Sequence, residues 1–152
     1  MDESYLLAEI SRVIDSNNGR EEKAARIAEV IRRAGDYRWV GVYEVTEDEI
    51  VNVAFSGPGP PVHPRFPITQ GLSGAAVASG ETVVAGDVAE DHRYLTAFGS
   101  TQSEIIVPVV DSADRKVVGT IDVDSEEKDT FSDADRAALE RCAVGVAGLF
   151  KA

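Results

Sequence analysis

Val117-Val118-Gly119-Thr120-Ile121-Asp122-Val123-Asp124-Ser125 is dominated by β-branched residues and fits no helical period, so it reads as a β-strand. Strand side chains alternate between faces, which points Asp122 and Asp124 one way and Ile121 and Val123 the other. Residues two apart on one face stand about 7 Å from each other, so two carboxylates there repel unless water or a cation relieves them. A fold puts such a pair on a wet outer face or in a pocket that receives a cationic group. Alternation alone leaves both open.

Working outward, Glu104-Ile105-Ile106-Val107-Pro108-Val109-Val110 is a second strand, joined to residues 116–124 by the turn Asp111-Ser112-Ala113-Asp114-Arg115. Upstream, Trp39-Val40-Gly41-Val42-Tyr43-Glu44-Val45 and Ile50-Val51-Asn52-Val53-Ala54-Phe55 flank the polar connection Thr46-Glu47-Asp48-Glu49, as a hairpin requires. Ser56-Gly57-Pro58-Gly59-Pro60-Pro61 can be neither helix nor central strand and reads as an exposed loop. Gly71 to Ser79 reads as a short alanine-rich helix, and Thr82-Val83-Val84-Ala85 as a brief strand.

Helices are expected at both ends. Tyr5, Leu6, Ile10, Val13 and Ile14 form one apolar stripe, broken by Asn17-Asn18-Gly19. Residues 21–33 carry a second stripe, ended by Gly35. These helices suit packing on a sheet or pairing with a second subunit. The last helix opens at Ser132, with Asp135 three residues on as an acidic capping box. Residues 86–102 show no period and contain Asp87, Asp91, His92, Arg93, Tyr94 and Phe98, which is long enough for a functional lid. The whole reads as one α+β domain over residues 1–152.

Composition narrows the function classes. A chain of 152 residues, 43% hydrophobic, has enough material for one good core. A net charge of -12 disfavours nucleic acid and anionic membrane as partners, since both require positive surface. No apolar run approaches the length of a membrane span, and Met1-Asp2-Glu3-Ser4 lacks a signal peptide's order, so a cytoplasmic location is expected. The single cysteine, Cys142, excludes an internal disulfide. It falls on a helical stripe with Leu139, Ala143, Val146 and Phe150, where it reads as a small core residue. No metal or cofactor motif is present.

Gly71-Leu72-Ser73-Gly74, followed by Gly80-Glu81, Asp87-Val88, Asp91 and Arg93-Tyr94, resembles the GAF family of small-molecule-binding domains over nearly the whole chain. The resemblance implies a central antiparallel sheet, with the terminal helices on one face and a ligand pocket under loops on the other. It also implies a homodimer through the terminal helices and a signalling role. Within that family, Trp39-Val40-Gly41-Val42-Tyr43, Ser103 to Val109, Gly119 to Ser125 and Phe131 to Asp135 look like the free methionine-(R)-sulfoxide reductases. By that likeness Glu104, Asp122 and Asp124 supply carboxylates to a small-molecule ligand, and Trp39 and Tyr43 supply aromatic wall. Three acids suit a ligand ammonium group, and aromatic faces suit a thioether or sulfoxide.

The reductases' cysteines match His63, Ser73 and Ala97 here, so their thiol chemistry does not carry over. The expectation is therefore a domain that binds a free amino acid or a methionine sulfoxide-like molecule as a sensor or carrier, with no catalytic residue assigned. The alternatives are a divergent reductase, or another enzyme using the pocket acids, and a dimerisation module with a vestigial pocket. Ser73 reads as an ordinary helix-start residue. His63 and His92 read as solvated, and Asp87 and Asp91 as loop carboxylates that cap or turn. A divalent ion held by Glu104, Asp122 and Asp124 stays open on ligand type alone.

Overall fold

A computed structural model describes residues 1–96 and 99–150. Two helices, α1 (Glu3–Asp15) and α2 (Arg20–Gly35), lead into strands β1 (Trp39–Val45), β2 (Glu49–Ser56) and β3 (Arg65–Pro67). Helix α3 (Gly71–Ser79) precedes β4 (Val83–Ala85) and a 3-10 turn over Val88–Glu90. Then come β5 (Ser103–Val110), β6 (Val117–Ser125) and α4 (Asp133–Val146). The strands form one sheet in the order β3-β2-β1-β6-β5-β4, antiparallel at every step. This is the mixed helix-and-strand architecture read from the sequence.

The quoted strand, β6, lies near the middle of that sheet, between β1 and β5, and alternation sorts its two faces. Ile121 and Val123 join Val40, Val42, Ile105, Val107 and Val109 in an apolar layer, all 0–1% exposed, under the terminal helices. Helices α2 and α4 pack on the strands, and α1 packs on α2 and α4. The apolar stripes of the terminal helices are therefore largely covered within the chain. Cys142 sits in this layer at 0% exposed, and burial pushes its thiol up to about 12. The opposite face carries Asp122 and Asp124 and is covered by α3 and its flanking loops.

The helix ends follow local chemistry. Ser132 accepts from the Asp135 N–H at 3.1 Å while the Ser132 N–H donates to the Asp135 carboxylate at 3.0 Å, which closes the expected capping box. Two expectations are corrected. Tyr5 is 60% exposed, and Glu9 takes the buried place on α1. The Glu9 carboxylate stays charged there because Arg12 bonds both of its oxygens at 2.7 Å. At the end of α2 it is Asp36, with φ 53°, that takes the left-handed position, while Gly35 stays in the last turn.

Strand β3 is an addition that periodicity does not reveal, because three residues show no alternation. Of the period-free stretch, Asp87 caps the 3-10 turn by accepting from the Ala89 N–H at 3.1 Å. Asp91 is paired with Arg93 at 2.7 Å, and that guanidinium holds its carboxyl at about 2. Both acids therefore cap or turn the loop, as read, and Asp87 also pairs with Lys128 beyond β6 at 3.2 Å. Ala97 and Phe98 lie outside the described residues. Among the described residues, no helix is long and apolar enough to cross a membrane.

Candidate functional site

Register brings the acids together. Glu104 on β5 pairs directly with Asp124 on β6, and on the other side Asp124 pairs with Trp39 of β1. Asp122 pairs with Ile106 and Gly41. All three carboxyls are buried, at 2%, 2% and 0% exposure for Glu104, Asp122 and Asp124. One carboxylate oxygen from each lies within 4.8 Å of the others. The wet-face reading of the Asp122/Asp124 pair is thus excluded.

Electrostatics make this arrangement costly to the fold. Burial pushes the Glu104 and Asp122 carboxyls well above the usual carboxylate range, and the charges of their neighbours push them further. Burial also raises Asp124, opposed by hydrogen bonds from the other two acids and from Thr101. The Thr101 hydroxyl donates to Asp124 Oδ2 at 2.8 Å. Asp122 Oδ1, Asp124 Oδ1 and Thr120 Oγ1 have no hydrogen-bond partner among the described residues. Unsatisfied buried groups of this kind cost about 1–3 kcal/mol each.

Aromatic rings close one side. Trp39 and Tyr43 lie four residues apart on β1, facing the same way as the acids, at 0% and 1% exposure. Gly41 between them is required by space: a Cβ there would come 2.5 Å from the Trp39 ring and 2.8 Å from the Tyr43 ring. The Trp39 indole donates to the Gly59 carbonyl at 2.9 Å and stacks on Phe55 with ring centroids 6.1 Å apart. Tyr43 packs edge-on to Phe66.

Glu104, Asp122, Tyr43 and Phe66 line an internal cavity together with His63, Leu95, Thr96 and the first turn of α3, Gly71 to Ser73. Its volume is about 10 Å³, the room one water needs. An open groove of about 680 Å³ runs over the outer side of α3 and meets the cavity at Gly71 and Leu95, but none of the three acids reaches it.

Of the residues singled out in the sequence, Glu104, Asp122, Asp124, Trp39 and Tyr43 thus face one side of the sheet. His63 is exposed and reaches the cavity mouth. Ser73 corrects an expectation: Gln70 occupies the N-cap of α3, and Ser73 sits inside the first turn at 5% exposed, lining the cavity. Thr101 and Thr120 were missed. Thr120 was legible, since alternation puts it on the face of Asp122 and Asp124. Thr101 was not, because it comes from the stretch without a period.

Residues 19–148 match the GAF domain family. GAF domain-containing protein A of Dictyostelium discoideum is 27% identical over 135 residues, covering 88% of this chain and 83% of that protein. The free methionine-R-sulfoxide reductase of Saccharomyces cerevisiae is 33% identical over 112 residues, 72% of this chain, although the match spans only 61% of that enzyme. Among solved structures, the free methionine-R-sulfoxide reductase from Neisseria meningitidis, in complex with its substrate, superposes with a TM-score of 0.86 at 31% identity. That match covers 97% of this chain and 87% of the reductase chain. The chain belongs to the GAF domain family, and free methionine-R-sulfoxide reductases are among its relatives.

Proposed function

We propose that the cavity binds a small ammonium-bearing molecule, a free amino acid or a derivative such as methionine sulfoxide, and that the chain acts as a sensor or carrier without thiol redox chemistry. The observation that carries this reading is the buried trio Glu104, Asp122 and Asp124, of which Glu104 and Asp122 line the cavity, with one oxygen each of Asp122 and Asp124 unpartnered among the described residues. An ammonium group brings three N–H donors and one positive charge. It would relieve the repulsion and satisfy the orphaned oxygens in one step, through charge-assisted hydrogen bonds that a dry site strengthens. Tyr43 and Phe66 offer apolar and aromatic surface to the rest of the ligand. Seating a molecule of amino-acid size requires the loop side chains Leu95 and Thr96 to move outward, because the cavity is about 10 Å³.

Reduction of a sulfoxide by thiols consumes two thiols and yields a thioether, a disulfide and water. This chain has one cysteine, buried beneath the terminal helices on the other side of the sheet from the acids. Positions 63 and 73, at the cavity, are histidine and serine, and neither can form the sulfenic acid on which that route depends. A reading as sensor or carrier follows more directly than one as reductase.

The test is calorimetric titration of the unliganded protein with methionine and its sulfoxide epimers, repeated on Glu104→Gln and Asp122→Asn. Saturable binding that both substitutions abolish supports the reading, whereas affinity unchanged in both variants sinks it. Titration with magnesium and calcium ions runs alongside. Saturable binding of a divalent cation, with no response to any amino acid, would reassign the acids to metal.

A further inference from the structure

We propose that ligand uptake at the acid trio is an exchange of cations: the unliganded site holds a proton at Glu104 and Asp122, and an arriving ammonium group displaces that proton to solvent. This rests on the reading of the acids as an ammonium site and adds what regulates it, namely pH.

Charge is the starting point. One oxygen from each carboxyl lies within 4.8 Å of the others, and all three groups are buried. Full ionisation would crowd like charges into a space that water does not screen. Among the described residues, no arginine or lysine lines the cavity to offset them. The surrounding elements add no cation either. Helix α3 carries no titratable side chain, β1 contributes the Tyr43 hydroxyl, and the loop before β5 contributes that of Tyr94. Burial first, and then the charge of the acids, push both phenols up, so they stay neutral. His92 and Arg93 line the outer groove, which none of the acids reaches, and Arg93 is committed to Asp91. His63 at the cavity mouth is exposed. A proton from solvent therefore does the compensating.

The trio is not symmetric, and its asymmetry sets where the proton sits. Asp124 does not line the cavity, and the Thr101 hydroxyl donates to its Oδ2 at 2.8 Å, which favours its charged form. Glu104 and Asp122 do line the cavity, and burial, followed by the charge of the neighbouring acids, raises both. The proton thus sits where the ligand's ammonium arrives. It leaves Asp122 Oδ1 and Asp124 Oδ1 without a partner among the described residues, whereas an ammonium group brings three N–H donors. As pH rises the proton becomes easier to remove and the ammonium group gains. The exchange balances: one ammonium enters, one proton leaves, and the net charge of the site is unchanged.

The experiment titrates the full chain with L-methionine by calorimetry, at about pH 7, in phosphate and in Tris, whose ionisation enthalpies differ. The expected result is a binding heat that differs between the two buffers by the amount that uptake of about one proton per ligand requires. Affinity should also rise with pH between about pH 5 and pH 7, by up to about tenfold per unit. Infrared spectroscopy of the unliganded protein should show the C=O stretch of a protonated carboxyl, and methionine should remove it. Saturable binding with equal heats in both buffers and a flat pH profile, or a carboxyl band that persists in the complex, overturns the exchange and leaves the ammonium site standing. Failure of methionine and its sulfoxides to bind overturns the ammonium site, and the exchange with it.

Discussion

Replacing Asp122 by asparagine should make the unliganded protein more stable while removing its ability to hold an ammonium group. Asp122 is 2% exposed, its Oδ1 has no partner among the described residues, and Glu104 and Asp124 crowd it. The amide removes one charge and brings two N–H donors within reach of the neighbouring carboxyls. Relief of one orphaned acceptor is worth about 2 kcal/mol, and in a chain of this size that raises Tm by about 4–8 °C.

The pH dependence adds a sign. All three carboxyls are raised in the folded state, chiefly by burial, so the native protein holds protons that the unfolded chain has released. Their contribution to stability is fully present below the unfolded carboxyl value of about 4 and is lost as pH rises through the raised folded values. Glu9, Glu49 and Asp91, held down by arginine partners, act in the opposite sense and only in acid. Thermal and urea unfolding of both proteins between about pH 5 and pH 8 should therefore show wild-type stability falling with pH and a shallower slope in Asp122→Asn. The gap between the two should widen toward alkaline pH. A variant less stable at every pH, or a wild type with a flat profile, would refute the reasoning.

Two further predictions concern the scaffold and one the site. Cys142, fully buried with its thiol pushed up to about 12, should resist a disulfide reagent in the native protein and react on unfolding. Rapid native labelling would contradict its placement. Ser132→Ala removes the capping box of α4 and should cost about 1 kcal/mol, or about 2–4 °C in Tm, with ligand affinity unchanged. Trp39, the one tryptophan of the chain, pairs directly with Asp124, so occupation of the acids should shift its fluorescence in wild type and leave it constant in Asp122→Asn.

The strands and helices were readable because their periods are strong: β-branched alternation marks β1, β2, β5 and β6, and the terminal helices show apolar stripes. Alternation also put Asp122 and Asp124 on one face. Whether that face was wet depended on what covered it, namely α3 and loop side chains far away in sequence, and no local pattern encodes that. Tyr5 was misplaced because its apolar ring fits the stripe of α1 as well as Glu9 does. Only the ion pair with Arg12 shows why the acid takes the buried position. Ser73 looked like a cap because serine commonly is one, and a one-turn shift relative to Gln70 turned it toward the cavity. Thr101 carried no signal at all, since its partner Asp124 lies 23 residues away.

The account rests most directly on binding without redox turnover, and one experiment addresses both halves. The protein is incubated with methionine-R-sulfoxide and dithiothreitol, the methionine formed is quantified, and binding of the sulfoxide is measured calorimetrically in the same buffer. The account predicts saturable binding, with methionine appearing no faster than in a protein-free control. Multiple turnovers, or no binding of the sulfoxide or of methionine, would contradict it.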